Sequence, residues 1–498
     1  MKSPRFILAR PNPSVLYAWT KISVVCRGVT TLSLLSAVLL GTIVFTAPGR
    51  LAAQAATATR PNIIVIMIDD QRLDDLRVMP KTRALIGSGT TFANYYVTLP
   101  TCCPSRATFL TGQYPHNHKV MSNHAPSGGY TKLDHSNTLP LWLQQAGYYT
   151  SYIGKYLNGY PPPGNETEIP PGWNDWQALL SGAQLYNYTI NDNGVLVKYG
   201  STAADYSTDV LAARAEATIV ELVAKQPFFL TVGSDAPHDE RQLISWANPR
   251  PAPRHLGIFA DEPLPQPPSF NEADVSDKPT DIRNLAPINS PALEEITARY
   301  RSRLESLLAI DDLVERIVNT LLSYNILGNT VLIFTSDNGW FQGEHRIKKG
   351  KGIIYEEAIH VPLLIRGGGF PQGVTTSQIT ANTDLAPTIV GLAHAKPRLP
   401  MDGRSLLPLA LNSSIGRGRH LLLETQTQEG VYNGSFLYVE HKKTGEQELY
   451  DMRPGSTNYD PYQLQSRHAD PAYAGVEAQL SIKLNQLRTC SGISCQVQ

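Results

Sequence analysis

The chain has 498 residues, 42% of them hydrophobic, and its 43 basic residues balance its 43 acidic residues. This length allows a large hydrophobic core and more than one domain. A formal net charge of zero gives no overall attraction to nucleic acid, so we expect no nucleic-acid partner. An anionic substrate would have to be bound by local charges.

The N-terminal residues resemble a secretory signal peptide. Basic residues, among them Arg5, Arg10, Lys21 and Arg27, precede an apolar run at 29–47, and the small residues of Leu51–Ala55 follow it. This pattern predicts a signal peptide over 1–55, cleaved after Ala55, and hence an exported protein that is secreted, periplasmic, at the cell surface or lysosome-like. An uncleaved membrane anchor is the alternative, because the run approaches the length that spans a bilayer. In an exported chain, Cys490 and Cys495 can close a small loop.

Four short apolar segments that end in polar residues predict strands of a buried sheet. The first is Asn62–Ile68, which is almost entirely apolar and is followed at once by Asp69 and Asp70. The same arrangement recurs where 148–153 leads to Lys155, where 228–232 leads to His238, and where 331–335 leads to Asp337 and Asn338.

A cysteine-containing run lies between the first two of these strands. In Cys102-Cys-Pro-Ser-Arg106, Pro104 suits the first turn of a helix, which places Cys102 just ahead of a helix N-terminus. Backbone N–H groups there favour an anion, and Arg106 adds a forked donor for an oxyanion. The residues therefore indicate a nucleophile beside an anion site, although a capped helix with two buried thiols would also fit.

Helical patterns alternate with the predicted strands. The clearest helix is predicted from Pro291 to Tyr324, with Ser290 as its N-cap and with apolar residues at helical spacing. Strands alternating with helices predict an α/β domain with a mostly parallel central sheet flanked by helices. Because ligands of such sheets bind outside the carboxyl ends of the strands, all four polar clusters are expected to converge on one site. The proline-rich stretch 248–291 is interpreted as a long surface excursion.

The pattern changes near Arg419. Short strands are predicted at 421–424, 436–440 and 448–450, and a helix at 471–487. We therefore expect a catalytic domain over 60–415 and a smaller C-terminal α+β subdomain over 416–498.

The run from Cys102 to Gly112 resembles the signature C-x-P-S-R-x-x-x-L-T-G of the sulfatase family at every specified position. The resemblance implies the alkaline-phosphatase-like α/β fold and hydrolysis of sulfate esters. It also implies that a formylglycine-generating enzyme converts Cys102 to formylglycine (3-oxoalanine). In the family, the hydrated aldehyde attacks the sulfate sulfur.

The resemblance also implies a single metal ion. Asp69 and Asp70 look like the first pair of family metal ligands, Asp337 and Asn338 like the second, and modified Cys102 completes the set. Converging carboxylates repel each other unless a cation lies between them, and an all-oxygen set suits Ca²⁺ better than Mg²⁺.

Further site residues are carried over from the family pattern. Lys155 resembles the lysine that contacts sulfate, although Leu157 replaces the histidine usual two positions later. His238 resembles the histidine that protonates the leaving oxygen, and Lys351 the lysine on the leaving-group side, with Lys348 and Lys349 as neighbouring candidates. His345 and His118 are predicted to bind substrate, with a structural role as the alternative for each.

The runs Cys102-Cys-Pro-Ser-Arg106, Tyr114-Pro-His-Asn-His118 and Gly154-Lys-Tyr-Leu-Asn158, with the terminal cysteine pair, resemble the N-acetylglucosamine-6-sulfatase-like branch, and relatives known as arylsulfatases fit nearly as well. The predicted substrate is therefore a sulfated carbohydrate, such as 6-O-sulfated N-acetylglucosamine, or an aryl sulfate. Two alternatives stay open at this point. One is a phosphonate monoester or phosphodiester hydrolase with the same nucleophile, and the other is a non-catalytic protein that binds sulfated glycans.

Overall fold

The structure is a computed structural model that describes residues 60–180, 182–242, 245–412, 414–416 and 418–496. The predicted signal peptide at 1–55 lies outside these ranges. Among the described residues, no helix has the length and apolarity needed to cross a membrane.

The strands alternate with helices along much of the chain, as predicted. They are, in chain order, β1 (Asn62–Ile68), β2 (Thr90–Phe92), β3 (Tyr95–Tyr96), β4 (Tyr149–Gly154), β5 (Asp175–Leu180), β6 (Thr189–Asp192), β7 (Val195–Lys198), β8 (Phe228–Gly233), β9 (Glu240–Arg241), β10 (Trp246–Ala247), β11 (Thr330–Ser336), β12 (Leu363–Arg366), β13 (Val374–Thr376), β14 (Thr380–Ala381), β15 (Leu421–Glu424), β16 (Gln428–Tyr432), β17 (Phe436–His441) and β18 (Gln447–Asp451).

The helices range from single turns to one of 34 residues. They are α1 (Pro80–Leu85), α2 (Cys102–Thr111), α3 (Pro115–His118), α4 (Leu139–Gln145), α5 (Ser207–Leu222), α6 (Thr280–Arg283), α7 (Ser290–Ser323), α8 (Glu356–Ile359), α9 (Leu385–Ala393), α10 (Leu406–Leu411) and α11 (Ala474–Leu487). Short 3-10 helices cover Asp74–Val78, Tyr130–Lys132, Ala203–Asp205, Val223–Lys225, Pro253–His255, Leu327–Asn329, Asn382–Asp384 and Gly492–Gln496.

A ten-stranded sheet forms the centre of the fold, with the strand order β13-β2-β12-β11-β1-β8-β4-β5-β6-β7. Its five middle strands, from β11 to β5, run parallel. On the two sides of this parallel part, β12 and β6 join antiparallel. The prediction of a mostly parallel central sheet is confirmed for the part that carries the polar clusters, and the outer strands make the sheet mixed.

Strand β1 is buried on both faces, which explains its nearly continuous apolar sequence. Alternate side chains of a strand point to opposite faces of the sheet. Ile64, Ile66 and Ile68 accordingly pack with the helices α5 and α7 in one hydrophobic cluster. Ile63 and Val65 pack with α2, α4 and α9 in a second cluster on the other face. The helices therefore flank the sheet on both sides.

The long predicted helix is confirmed as α7, with a small shift at its start. The predicted N-cap, Ser290, is the first helical residue, and Asn289 is the cap instead. The Asn289 side chain accepts a hydrogen bond of 3.1 Å from the backbone N–H of Ala292. Asparagine is at least as good a cap as serine, so the helix extends one residue further.

The residues after Arg419 form the predicted smaller sheet, which is antiparallel and has the order β15-β16-β17-β18. Three of its strands match the predicted ones, whereas β16 (Gln428–Tyr432) was not predicted, because Gly430 and two polar residues interrupt its apolar pattern. The helix predicted at 471–487 is observed as α11 and begins three residues later. The domain boundary at 415/416 stays a prediction.

Cys490 and Cys495 form a disulfide five residues apart. The backbone carbonyl of Cys490 also accepts hydrogen bonds from the His116 ring (2.8 Å) and from the Asn117 side chain (2.9 Å). The small disulfide loop is thereby attached to the segment that follows α2.

Replacing Cys495 by alanine is expected to lower the free energy of unfolding by about 2 kcal/mol, because a closed loop of this length restricts the unfolded chain by that amount. Thermal unfolding with and without a reducing agent measures the effect. The reductant should destabilise the wild type and leave the Cys495→Ala protein unchanged. Equal sensitivity of the two proteins would contradict the prediction.

Candidate active site

The four polar clusters predicted at strand ends meet at one edge of the central sheet. Asp69 follows β1, Lys155 follows β4, and Asp337 follows β11, while His238 lies in the loop after β8. The strands β11, β1, β8 and β4 are consecutive in the sheet, and they are parallel. Their carboxyl ends therefore bring these residues together, as the sequence predicts.

Cys102 lies at the centre of this group. It is the first residue of α2, with Thr101 as the N-cap, and its side chain is fully buried. Its Sγ atom lies 3.2 Å from Oδ1 of Asp69 and 2.8 Å from Nζ of Lys351. Nζ of Lys155 lies 3.7 Å from the same sulfur atom. The sulfur atom thus faces one carboxylate and two ammonium groups at a helix N-terminus.

Three carboxylates in this group are inaccessible to solvent: those of Asp69, Asp70 and Asp337. The backbone N–H of Asp70 donates to Oδ1 of Asp337 (3.2 Å), and the side chain of Asn338 donates to Oδ1 of Asp70 (2.6 Å). Asp70 has a φ of +66°, in the left-handed region that non-glycine residues rarely adopt. Such strain is typical of functional sites, and here the turn at Asp70 directs two consecutive carboxylates to one place.

The donor set fits a hard cation. Oδ1 of Asn338 and Oδ2 of Asp70 are buried, and neither has a hydrogen-bond donor among the described residues. Ligand atoms of Asp69, Asp70, Cys102 and His238 lie within 4.8 Å of one another. Buried oxygen atoms of this kind are the ligands that Ca²⁺ prefers, whereas the imidazole of His238 is a poor ligand for it. The site therefore has the oxygen donors that a calcium ion would use.

The cationic side chains are fixed by contacts with these acids. Nε of Arg106 donates to Oδ2 of Asp337 (2.7 Å), and its Nη1 donates to the carbonyl of Lys155 (2.8 Å). Lys155 forms an ion pair with Asp69. Gly233 makes this arrangement possible, because a Cβ atom there would lie 2.5 Å from the Lys155 carbonyl oxygen and 3.1 Å from Nη1 of Arg106.

Burial and charge shift the pKa values in the site. Burial by itself would raise the pKa of Asp69, but the charges of Lys155, His238, Lys351 and Arg106 outweigh it and hold that pKa well below its ordinary value. Burial, and then the Asp69 carboxylate, raise the pKa of the Cys102 thiol. A raised thiol pKa disfavours the thiolate, which is the form in which an unmodified cysteine acts as a nucleophile.

His238 is oriented by its backbone neighbour. Its Nδ1 lies 2.6 Å from the carbonyl oxygen of Asp239. Because a carbonyl oxygen only accepts, Nδ1 carries the proton of that hydrogen bond, and Nε2 is the atom that can exchange a proton. Nε2 lies 3.6 Å from Oδ2 of Asp70, at the edge of the acidic group.

Two arginines that support the site were not predicted. Arg303 of α7 donates to the backbone carbonyls of Asp70 (2.5 Å) and Pro237 (3.1 Å), and Arg299 lies 3.3 Å from Asp239. Both arginines are buried. The signal was present in the sequence, because both lie on the apolar stripe of the long helix, where an arginine requires a buried partner.

The structure does not bring His118 or His345 to the Cys102 sulfur atom. His118 bonds to Thr108 (3.0 Å) and accepts from the N–H of Val120 (3.1 Å), and burial lowers its pKa to about 3. His345 is fully buried, bonds to Glu272 (2.7 Å) and stacks on Tyr355. These contacts give both histidines a structural role, and their substrate-binding role stays a prediction without support from geometry.

Among the three neighbouring lysines, Lys351 is the one whose ammonium group contacts the site, where it pairs with Asp70. Lys348 and Lys349 are exposed. The choice of Lys351 as the lysine on the leaving-group side therefore agrees with the contacts.

The profile of the sulfatase family matches residues 61–395, which include every residue of this site. The chain belongs to the sulfatase family. This sulfatase is accordingly a sulfuric ester hydrolase by family. A second profile, that of the N-sulphoglucosamine sulphohydrolase C-terminal region, matches residues 343–490.

Relatives of this sulfatase carry several names. The N-acetylglucosamine-6-sulfatase of Capra hircus is 32% identical over 491 residues, which cover 89% of this chain and 86% of the relative. The arylsulfatase of Volvox carteri is 39% identical over 72% of this chain and 59% of its own. The extracellular sulfatase Sulf-1 homolog of Caenorhabditis elegans is 38% identical over 70% of this chain, which spans only 49% of that relative.

Solved structures confirm the predicted alkaline-phosphatase-like fold. The protein BT4656, solved with D-glucosamine-2-N,6-O-disulfate, superposes with a TM-score of 0.71 at 24% identity and covers 86% of this chain and 97% of its own. A phosphonate monoester hydrolase of Agrobacterium radiobacter superposes with a TM-score of 0.66 at 22% identity, covering 86% of this chain and 95% of its own. At these identities the two structures show the fold alone.

Proposed function

We propose that this protein is an exported, calcium-dependent sulfatase in which formylglycine at position 102 hydrolyses sulfate esters of carbohydrates. The observation that carries the proposal is the position of the Cys102 sulfur atom. It lies within 3.7 Å of Asp69, Lys351 and Lys155, at the start of a buried helix. A nucleophile at this position would meet a substrate beside cationic side chains and metal-binding carboxylates.

The cationic side chains are suited to bind the sulfate group. Lys155 and Lys351 both face the Cys102 sulfur atom, and Nη2 of Arg106 is buried with no acceptor among the described residues. A buried donor without a partner is costly unless a ligand uses it. The three side chains would hold the sulfate oxygens and stabilise the charge that develops on them during the reaction.

Two groups beyond the encoded side chains complete the site. Asp69, Asp70, Asp337 and Asn338 would hold Ca²⁺, and a formylglycine-generating enzyme would modify Cys102. The formylglycine would supply a hydroxyl nucleophile in its hydrated form, and the calcium ion would offset negative charge beside it. His238 would give the proton at Nε2 to the departing alcohol oxygen, while Asp239 holds its other ring nitrogen.

Replacing His238 by alanine is expected to lower kcat more for a substrate whose leaving group is more basic. A sugar alcohol needs protonation to depart, so kcat for a 6-O-sulfated sugar should fall by about 10²–10³-fold. Nitrophenolate departs without help, so kcat for nitrophenyl sulfate should fall by less than about tenfold.

Paired kcat measurements with the two substrates test this prediction. The exposed His468, which pairs with Glu477 in the C-terminal region, supplies the control variant His468→Ala. Equal losses with both substrates in the His238→Ala protein would rule out proton transfer to the leaving group.

A carbohydrate sulfate is the proposed substrate class, because the relative with 86% of its length aligned is an N-acetylglucosamine-6-sulfatase. Aryl sulfates are the second candidate, supported by the arylsulfatase relative. The test is sulfate release from 6-O-sulfated N-acetylglucosamine, from an aryl sulfate and from an aryl phosphonate. The enzyme is co-expressed with a formylglycine-generating partner, and the modification is checked by peptide mass. Faster turnover of the phosphonate would instead favour a phosphonate hydrolase. Sugar binding without release of sulfate would favour a non-catalytic binding protein.

A further inference from the structure

A pair of short strands, called the hairpin here, lies beside His238. Its strands, β9 and β10, pair antiparallel with Trp246 opposite Arg241 and Ala247 opposite Glu240. Residues directly opposite in such a pair place their side chains on the same face, so the Trp246 ring and the Arg241 side chain share one face of the hairpin. The hairpin begins two residues after His238, which leaves little freedom in its position relative to that histidine.

Trp246 is exposed in an unusual place. Its side chain is 51% exposed, although its ring centroid lies 5.3 Å from that of His238. A second indole, that of Trp340, also lies near the histidine, with its centroid 6.4 Å away, and it is buried with Lys351 and Arg303 over its ring. Packing against these side chains explains why an indole ring is found at position 340. An indole ring that is half exposed at the edge of an active site is instead typical of a surface that contacts a ligand.

Arg241 is also available to a ligand. It is exposed and forms no ion pair within the described part of the chain, whereas the adjacent Glu240 pairs with Arg250 at 2.6 Å. The backbone N–H of Arg241 donates to the carbonyl of Ala183 (2.8 Å), which anchors the strand, while the guanidinium group has no partner among the described residues. A free guanidinium beside an exposed aromatic ring suits a ligand that has both an apolar ring face and an acidic group.

We infer that this hairpin is the platform for the sugar part of the substrate, with Trp246 under the ring that carries the sulfate and Arg241 on an acidic group of the adjoining sugar. The inference rests on the proposed function, because the group that His238 protonates is the oxygen joining the sulfate to the sugar. The sugar ring must therefore lie next to His238, and Trp246 is the exposed ring at that position. A pyranose offers a face of C–H groups that packs on an indole, and an acidic oligosaccharide offers the carboxylate or sulfate that pairs with Arg241.

Three variants test the platform: Trp246→Ala, Trp246→Phe and Arg241→Gln. The substrates are 6-O-sulfated N-acetylglucosamine and a disaccharide in which this sugar is linked to a uronic acid. Trp246→Ala should raise KM for both substrates about tenfold, the usual effect of truncating a contact of about 1.4 kcal/mol. The kcat should change less than about twofold, because the ring does not take part in the chemistry. Trp246→Phe should keep most of the affinity.

Arg241→Gln should leave the monosaccharide unaffected and raise KM for the disaccharide about threefold, an effect that shrinks at high salt. Inorganic sulfate serves as a competitive probe that has no ring, so its inhibition constant should be unchanged in all three variants. The control variant is Tyr324→Ala. Tyr324 is 44% exposed and directly follows α7, in the connection that leads to the amino end of β11, whereas His238 follows the carboxyl end of β8.

Binding to the inactive Cys102→Ala protein, measured by calorimetry, separates this inference from the proposed function. If the wild type releases no sulfate, the proposed function fails, while the effect of Trp246→Ala on sugar binding still tests the platform. Unchanged sugar affinity and KM in Trp246→Ala would overturn the platform, even if the sulfatase reaction is established. A weaker inhibition by inorganic sulfate in Trp246→Ala would also overturn it, because the substitution would then have damaged the sulfate site.

Discussion

Replacing Cys102 by alanine is expected to reduce sulfate release by at least about 10⁴-fold, the scale of losses seen when a catalytic nucleophile is removed. The physical reason is that no other described side chain can replace it at its position between Asp69, Lys155 and Lys351. The fold should persist. The substitution removes one buried sulfur atom, so the free energy of unfolding should fall by only about 1–2 kcal/mol.

Cys103 gives a matched control, because it is adjacent and equally buried. Its side chain packs in the hydrophobic cluster around α2, and burial raises its thiol pKa to about 12. Cys103→Ala should therefore keep sulfate release within a few-fold of the wild type and cost a similar amount of stability. Sulfate release, thermal unfolding and the mass of the peptide containing residue 102 are measured for both variants. Activity near the wild type in Cys102→Ala would refute the proposed nucleophile.

The centre of the site was predictable because each of its residues is tied to a local pattern. Asp69 and Asp337 directly follow strands whose apolar sequences are unambiguous, and Cys102 begins a helix marked by Pro104. The rule that ligands bind at the carboxyl ends of parallel strands then places these residues together. The strand order, which makes the four strands neighbours, could not be deduced from local patterns, since it depends on contacts between residues far apart in the chain.

The periphery of the site was not predictable for the same reason. The hairpin with Trp246 has two residues in each strand, too short for any alternating pattern, and is recognisable only by its position beside His238. The histidines show the opposite case, in which a residue predicted to bind substrate is held by other contacts. The sequence predicts that His345 binds substrate, but its contacts with Glu272 and Tyr355 are made by segments that sequence spacing does not relate.

Removal of calcium is expected to abolish activity, and Asp70→Asn should weaken calcium binding by about 100-fold, because it removes one full charge from a buried donor set. Asp69, Asp70 and Asp337 are all completely buried. Three carboxylates in this space favour a divalent cation strongly. Treatment with a chelator should therefore stop sulfate release, and Ca²⁺ should restore it more effectively than Mg²⁺, which demands a tighter octahedral geometry.

The binding itself can be measured without turnover, as the rise in melting temperature with calcium concentration. A ligand present at 100 times its Kd stabilises the folded state by about 2.7 kcal/mol, so the wild type should show a clear shift. Asp70→Asn should need about 100-fold more calcium for the same shift.

Asp311→Asn is the matched control. Asp311 is equally buried, but it accepts from the backbone N–H groups of Lys81 and Thr82 at the start of α1. This variant should lose stability at every calcium concentration and keep the calcium-dependent shift. If both variants kept the shift, Asp70 would not be a calcium ligand, and the strained turn at Asp70 would need another explanation.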